Sequence, residues 1–230
     1  MNEISTGTLF IVATPIGNLE DITLRALRVL GEVDTIFCED TRITNRLLQK
    51  YEINTKTQSI NARTEDQKTG IVLSMLEGGQ DVAYVSDAGT PGISDPGVRL
   101  VVAARAVGAR VEAIPGASAI TTALSIAGVP TNKFTFLGFL PQKKGRKTAI
   151  NNAIETDGTV VLYESTHRIV KFLKELCDVL PATKGVKLAR ELTKLHEEVL
   201  AGSPDELLAI LQSNPQKTKG EFVVILHDTR

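Results

Sequence analysis

Short apolar runs and amphipathic stretches alternate along the first half of the chain. Runs of strand length occupy residues 8–15, 33–40, 81–87 and 110–116. Helical spacing of apolar residues marks 21–32 (with Asp21 as its expected N-cap), 41–51, 71–79, 95–108 and 117–128. Strands and helices that alternate at this spacing are typical of a parallel sheet covered on both faces. The first half is therefore predicted to be an α/β domain.

Turn-forming residues interrupt this alternation at GVPTNK, residues 128–133, and we place a domain boundary there. Beyond it, strand patterns lie at 134–141, 159–165, 187–192 and 221–227, and helical patterns lie at 147–155, 168–180 and 204–211. Residues 196–202 are a further strand candidate, antiparallel to its neighbour. The fold class is thus α/β, with an N-terminal domain at 1–130 and a C-terminal domain at 131–230.

Three strands of the first domain end in loops rich in Gly and Pro. These loops are TPIGN (14–18), SDAGTPGISDPG (86–97) and IPGASA (114–119). Ligands of open α/β sheets bind beyond the carboxyl ends of the strands, and glycine lets the backbone approach a ligand closely. The alternative is that the loops are simply tight connections into helices. Three of them after three strands favour a ligand site.

Missing motifs narrow the choice of ligand. No G-x-G-x-x-G follows the first strand and no G-x-x-x-x-G-K-[ST] occurs, which argues against dinucleotide and nucleoside triphosphate cradles. An adenosine-containing cofactor without phosphates fits better. The three histidines, His167, His196 and His227, have no metal-ligand spacing, so no metal site is expected. Carboxylates near strand ends are suited either to acid–base chemistry or to capping the next helix: Glu39, Asp40, Asp87, Asp95, Glu164 and Glu191.

Charge and cysteine usage add two expectations. The formal net charge of −1 argues against non-specific coating of nucleic acid, and the dense basic run KKGRK (143–147) is either a solvated face or a local phosphate contact. Cys38 and Cys177 are too few for a disulfide framework and suggest buried free thiols in a reducing cytoplasm. MNEISTG does not resemble a secretory signal, and no apolar stretch reaches the ~18 residues of a membrane span. We therefore expect a cytoplasmic protein with no membrane partner.

Longer motifs carry a family resemblance. LFIVATPIGNLEDITLRAL, CEDTR, VSDAGTPGISDPG, IPGASAITTALSIAG, FLGFLP, YESTHR and ARELTKLHEE follow one another between about residues 9 and 198, and GEFVVIL comes near the end. Together they resemble the RsmI-type methyltransferases of the tetrapyrrole-methylase-like superfamily, bacterial enzymes that methylate the 2′-oxygen of a cytidine in 16S ribosomal RNA. The resemblance implies S-adenosyl-L-methionine between two α/β domains, a homodimer, and 16S rRNA or the small ribosomal subunit as partner.

The resemblance also implies roles for individual residues. The expected cofactor contacts are Pro15, Ile16, Asp87, Ala88, Gly89, Thr90, Pro91, Ser118, Ala119, Leu162, Tyr163, Ala189, Gly220 and Glu221. On the substrate side it places Arg42, His167 and Arg168, to which the basic run adds Lys143, Lys144, Arg146 and Lys147.

The chemistry of such a transfer asks little of the protein. A sulfonium already activates the methyl group, so the enzyme must chiefly place the ribose oxygen in line with it. A base is needed only for the hydroxyl proton, and Asp40 or Glu39 is the candidate, with loss to solvent left open. Two other functions compete: a small-molecule tetrapyrrole methyltransferase, which the RNA-branch motifs and the basic run oppose, and a non-catalytic ribosome-associated module, which the intact loops oppose.

Overall fold

The computed structural model of the chain describes residues 6–60 and 64–229. Residues 1–5, which contribute to the prediction that no secretory signal is present, lie outside this part. The chain divides into two compact units, Met1–Ser118 and Ala119–Arg230.

In the first unit, five described strands form a parallel sheet. They are β1 (Thr8–Val12), β2 (Thr35–Cys38), β3 (Thr57–Ser59), β4 (Val82–Val85) and β5 (Arg110–Ile114), and their order across the sheet is β3-β2-β4-β1-β5. The helices between them are α1 (Leu24–Glu32), α2 (Thr41–Lys50), α3 (Glu65–Glu77) and α4 (Val98–Ala106). The prediction of a parallel α/β sheet is confirmed.

Both faces of this sheet are buried. Ala83 and Val85 of β4 pack into one hydrophobic cluster, whereas Val82 and Tyr84 of the same strand pack into another. Successive side chains of a strand point to opposite faces, so the two clusters lie on opposite sides of the sheet. This explains why the central strands are apolar without alternation, as expected for a sheet covered on both faces.

Two local features of the first unit differ from the sequence prediction. Helix α1 begins at Leu24, and its N-cap is Thr23, whose hydroxyl accepts a 3.1 Å hydrogen bond from the Ala26 N–H. Asp21 instead ends a preceding 3₁₀ turn, Leu19–Asp21. Strand β3 was not predicted, because its Thr-Gln-Ser sequence is polar and only three residues long.

The second unit has a mixed sheet. Its described strands are β6 (Phe134–Phe139), β7 (Thr159–Ser165), β8 (Lys184–Arg190), β9 (Glu198–Gly202) and β10 (Glu221–Asp228), in the order β6-β7-β10-β8-β9. Only β6 and β7 pair in parallel; the other neighbours are antiparallel, which confirms the expectation for 196–202. The helices are α5 (Ala119–Ala127), α6 (Arg146–Glu155), α7 (Ile169–Val179) and α8 (Pro204–Ser213).

The division between the units falls after Ser118 rather than after residue 130. Helix α5 is the reason, because it packs on β8 and β10 and so belongs to the second unit. The turn-forming segment 128–133 is also held within this unit. Lys187 of β8 donates to the Gly128 carbonyl, and the Thr159 hydroxyl donates to the Pro130 carbonyl.

Two expectations from composition can be compared with the structure. Both cysteines are free thiols; Cys38 is buried, whereas Cys177 is only half-buried. Among the described residues, no helix has the length and apolarity needed to cross a membrane.

Candidate active site

The three Gly- and Pro-rich loops of the first unit are joined to one another. Their strands β4, β1 and β5 are neighbours in a parallel sheet, so their carboxyl ends lie at one edge. The backbones of Thr14 and Gly89 exchange two hydrogen bonds of 2.9 and 3.0 Å, and the Thr14 hydroxyl donates to the Ser86 carbonyl at 3.0 Å. The Thr90 hydroxyl reaches the Ala117 carbonyl at 3.3 Å. The loops therefore form one rigid edge rather than three separate turns.

Glycine is required at two positions of the central loop. Gly89 has φ +80°, and a Cβ there would lie 3.4 Å from the Ile16 side chain. Gly97 has φ +120°, and a Cβ would lie 2.7 Å from the Tyr84 ring. Residues with a side chain rarely adopt a positive φ, so both backbone conformations favour glycine. The first glycine keeps the inner surface of the loop open, and the second is the N-cap of α4.

The cofactor contacts expected in the first unit lie along this edge. Asp87, Thr90, Ile16 and Ser118 are half-buried, and Ala88 is exposed. The other three, Pro15, Gly89 and Pro91, are buried. The edge thus combines one exposed residue, Ala88, with the partly shielded carboxylate of Asp87.

Acidic side chains extend this edge toward β2. The backbone N–H of Asp40 donates a 3.0 Å hydrogen bond to the Asp87 carboxylate, which links the ends of β2 and β4. Burial, then the charges of Asp95 and Asp87, raise the pKa of Glu39 to about 7. Burial also raises the pKa of Asp87 and of Asp95. Within residues 6–60 and 64–229, neither Glu39, Asp87 nor Asp95 makes an ion pair.

Asp40 has the opposite character. Its carboxylate receives a fork from Arg42, with Nε–Oδ1 at 3.0 Å and Nη2–Oδ2 at 2.6 Å, and it also caps α2 by accepting the Arg42 N–H. The hydrogen bonds from Arg42 lower the pKa of Asp40 to about 2. A carboxylate held in this way is a poor proton acceptor near neutral pH. Of the two candidate bases, only Glu39 has a pKa suited to the task.

In the second unit, the sheet places the expected cofactor residues at different depths. Tyr163 and Ala189 lie in one row on either side of Val223, and Tyr163 is half-buried whereas Ala189 is fully buried. Leu162 is part of the hydrophobic core. Gly220 and Glu221 precede and begin β10, where Glu221 is exposed and pairs with Lys194 at 2.8 Å. Ala119 is the first residue of α5. The side chains of Leu162 and Ala189 are thus closed to a ligand.

The basic run divides into exposed and buried cations. Lys143, Lys144 and Lys147 are exposed, as a phosphate contact requires. Arg146 is only 6% exposed in its side chain, and its Nε lies 2.7 Å from the Glu175 carboxylate. It also ion-pairs with the buried Glu164. The expectation that Arg146 contacts substrate is therefore not supported, because this side chain is occupied in the interior.

The remaining substrate-side residues differ in freedom. Arg42 and His167 are exposed, but Arg42 is engaged by Asp40. Arg168 is anchored, with Nε 2.7 Å from the Glu164 carboxylate and Nη1 donating to the Leu140 carbonyl at 3.2 Å. Its guanidinium lies 5.6 Å from the centre of the Phe139 ring.

Two features of the site were missed at the sequence level. Thr14 joins the loops through its backbone and hydroxyl, although nothing in TPIGN distinguishes it from an ordinary strand-end residue. Glu164 is buried between two arginines, which the spacing of YESTHR does not reveal.

The described site offers carboxylates suited to acid–base chemistry beside the joined loops of the sheet edge. In the part of the chain that the structure describes, no group of three His, Cys, Asp or Glu side chains is arranged to hold a metal ion.

Comparison with solved structures shows which fold the chain has, and a family model shows its class of protein. Diphthine synthase superposes with a TM-score of 0.73 at 14% identity, covering 96% of this chain and 89% of that one. A cobalt precorrin-4 methyltransferase superposes with a TM-score of 0.71 at 18% identity, covering 98% and 97%. Residues 8–208 match the family model of the tetrapyrrole (corrin/porphyrin) methylases. The fold is thus that of a tetrapyrrole methylase.

Sequence relatives identify the branch. Ribosomal RNA small subunit methyltransferase I of Escherichia coli O157:H7 is 48% identical over 224 residues, which are 96% of this chain and 78% of the relative. The protein of that name from Borrelia garinii subsp. bavariensis is 46% identical over 219 residues, 95% of this chain and 97% of the relative. The chain belongs to the tetrapyrrole methylase family, in its ribosomal RNA small subunit methyltransferase I branch. The resemblance inferred from the motifs is confirmed.

Proposed function

We propose that this protein transfers a methyl group from S-adenosyl-L-methionine to the ribose 2′-hydroxyl of a cytidine in 16S ribosomal RNA. The observation that carries the proposal is the similarity to relatives named ribosomal RNA small subunit methyltransferase I, which extends over 96% of the chain. That span includes the three hydrogen-bonded loops and the acidic side chains at the sheet edge of the first unit.

The first unit offers a fitting place for the cofactor. Its sulfonium supplies a methyl group that is already activated for transfer. Asp87 presents a half-buried carboxylate without a described ion-pair partner, which suits a cationic ligand. Gly89 has no Cβ, which allows the positive φ that shapes the loop carrying Asp87. Ile16 provides an apolar side chain next to it. The contacts expected in the second unit, chiefly Tyr163, Gly220 and Glu221, complete the proposal.

Glu39 is the proposed general base. Its pKa of about 7 leaves a substantial fraction of the carboxylate ionised at neutral pH. The ionised form also has a higher proton affinity than an ordinary carboxylate, which favours proton transfer from the hydroxyl. Asp40, which Arg42 keeps ionised, instead orients the start of α2. The Glu39 carboxylate would accept the ribose hydroxyl proton, while the methyl group would pass from the sulfonium to the ribose oxygen and leave S-adenosyl-L-homocysteine as the product.

The exposed lysines are the proposed phosphate contacts. Lys143, Lys144 and Lys147 stand on the loop and first turn between β6 and α6. Each neutralised phosphate releases condensed counterions, so these contacts should appear in the salt dependence of binding. Arg42 and His167, both exposed, are further candidates, and Arg146 is left out because it is buried.

Assembly and location follow as parts of the proposal. The exposed apolar side chains Ile93, Val98 and Val102 border a cavity of about 280 Å³, and a second copy of the chain is the occupant we propose. We also propose a cytoplasmic location, because ribosomal RNA is the proposed substrate. Light scattering of the purified protein tests the homodimer, for which a monomer mass would be the contrary result.

A transfer assay tests the function itself. Purified protein is incubated with cofactor carrying a tritiated methyl group and, separately, naked 16S RNA, small ribosomal subunits and uroporphyrinogen. We expect label in RNA, located by mass spectrometry on one cytidine ribose. Label in uroporphyrinogen, or cofactor binding without transfer to any ribosomal particle, would refute the proposal.

A further inference from the structure

An aromatic cluster stands on the edge strand of the second unit. The rings of Phe136 and Tyr163 lie 4.9 Å apart between centroids, and those of Phe139 and Tyr163 lie 5.5 Å apart. Phe139 nevertheless remains 53% exposed. A single exposed apolar ring needs no special explanation, so the case for a binding site depends on what holds this ring and on the charges beside it.

A backbone irregularity places this ring. The register between β6 and β7 shifts between Phe136 and Phe139, and Gly138 has φ +63°. An irregularity of this kind redirects the side chains that follow it. Phe139 consequently comes into register with Tyr163, and the FTFLGF alternation is broken at its last residue.

A partly buried arginine and a buried carboxylate hold Phe139 in place. The Arg168 guanidinium lies 5.6 Å from the Phe139 centroid, at a distance typical of cation–π contacts. It is fixed by the carboxylate of Glu164, which is only 2% exposed, and by the Leu140 carbonyl. The ring is therefore pre-organised before any ligand arrives, which reduces the entropy lost on binding.

Cations adjoin the ring along the chain. Leu140 and Pro141 lead directly from Phe139 into the loop with the exposed Lys143 and Lys144. A positively charged track with aromatic rings beside it is the combination that binds single-stranded nucleic acid, because every base has a face that can stack.

We propose that Phe139 is a stacking platform for an unpaired nucleobase of the RNA substrate, with Lys143 and Lys144 on the neighbouring phosphates. The inference rests on the proposed function, since it describes how that RNA is held. A second copy of this chain is a less suitable occupant, because a symmetric contact centred here would bring the lysines of both copies together.

Fluorescence gives a direct test, because the chain contains no tryptophan. The Phe139→Trp variant carries a single indole, which we titrate with a 12-nucleotide oligocytidine and, separately, with inorganic polyphosphate. We expect quenching by the oligonucleotide and none by polyphosphate, which has charge but no bases. A Phe134→Trp variant is the matched control, because Phe134 is 41% exposed on the same strand but lies outside the cluster.

Binding by fluorescence anisotropy supplies the second readout. Phe139→Ala should weaken oligocytidine binding roughly 5- to 100-fold without changing the slope of log K against log salt. Lys143→Ala combined with Lys144→Ala should weaken binding and also reduce that slope. Phe134→Ala should bind as the unmodified protein does.

Several outcomes would overturn the inference. They are equal quenching at positions 134 and 139, unchanged affinity of Phe139→Ala, a changed oligomeric mass of that variant, or no binding of the unmodified protein to the 12-mer in low salt. Methyl transfer by the unmodified protein to small subunits is measured in parallel. Transfer that persists while stacking fails refutes the platform alone, whereas absence of transfer refutes the proposed function.

Discussion

The two units differ in whether the carboxylates that are shielded from solvent have ion-pair partners. At the edge of the first sheet, Glu39, Asp87 and Asp95 are half-buried, form no ion pair within the described residues, and have raised pKa values. In the second unit, Glu164 is far more deeply buried but lies between Arg146 and Arg168. An unpaired, partly desolvated carboxylate opposes folding, whereas a paired one can organise the chain around it. Under the proposed function, the carboxylates of the first unit serve the chemistry, whereas Glu164 serves the architecture of the second unit.

The largest expected effect comes from the chemical side. Glu39→Gln removes the proposed base, so methyl transfer to small subunits should fall roughly 10²- to 10⁴-fold. The same change removes a carboxylate that is costly to ionise, so the melting temperature at pH 8 should stay the same or rise. Transfer rates and calorimetry on the same preparation check both. Full activity in this variant would mean that the proton leaves to solvent or to another group.

On the architectural side, Glu164→Gln should chiefly affect stability. It leaves Arg168 without its buried counter-charge and Arg146 with Glu175 alone, and we expect a loss of about 3 kcal/mol in the free energy of unfolding. Urea titration measures it. Glu175→Gln is the matched control, because Glu175 pairs with Arg146 but is 29% exposed in its side chain, so its loss should cost less. Equal losses would remove the distinction drawn for Glu164.

Asp87 tests whether the first unit's acidic edge binds the cofactor. Asp87→Ala should lower the affinity for S-adenosyl-L-methionine about 10- to 100-fold, since a charge-assisted contact is lost, and should leave the fold intact. Isothermal calorimetry gives the affinity and circular dichroism gives the fold. Normal cofactor affinity in Asp87→Ala would mean that Asp87 does not bind the cofactor and that the loop only connects β4 to α4.

The smallest effect is a shift in pH dependence. A base must be deprotonated to act, so kcat/KM should rise with pH through a midpoint near 7, the pKa of Glu39. Asp95→Asn removes a charge that raises this pKa, and the midpoint should move down.

The same raised pKa has a consequence for stability. Between about pH 4.5 and 7 the folded state keeps a proton on Glu39 that the unfolded chain releases, so its contribution to stability declines as pH rises across this window. Thermal melts of the unmodified protein and Glu39→Gln across this window measure it. Parallel pH profiles for the two would contradict the assignment.

Sequence reasoning captured what depends on local pattern. The run at Val82–Val85 predicted a buried parallel strand, and the glycines predicted the loops at the sheet edge. It failed where tertiary placement decides. Glu39 and Asp40 are adjacent in sequence, yet burial raises the pKa of Glu39 whereas Arg42 lowers that of Asp40. Arg146 sits in a run of exposed cations, but its position at the start of α6 turns it inward.

The Thr14–Gly89 bridge also bears on how the protein is made. It joins the first strand to a loop far along the chain, and Thr90 reaches on to the Ala117 carbonyl beyond β5. Contacts between distant segments form late in folding, because the chain must first close long loops. In a nascent chain, the loop edge that these bonds join is therefore incomplete until the segment after β5 has left the ribosome. Under the proposed function, a truncated chain ending before Ala117 should therefore lack the first unit's part of the cofactor site and should not bind the cofactor.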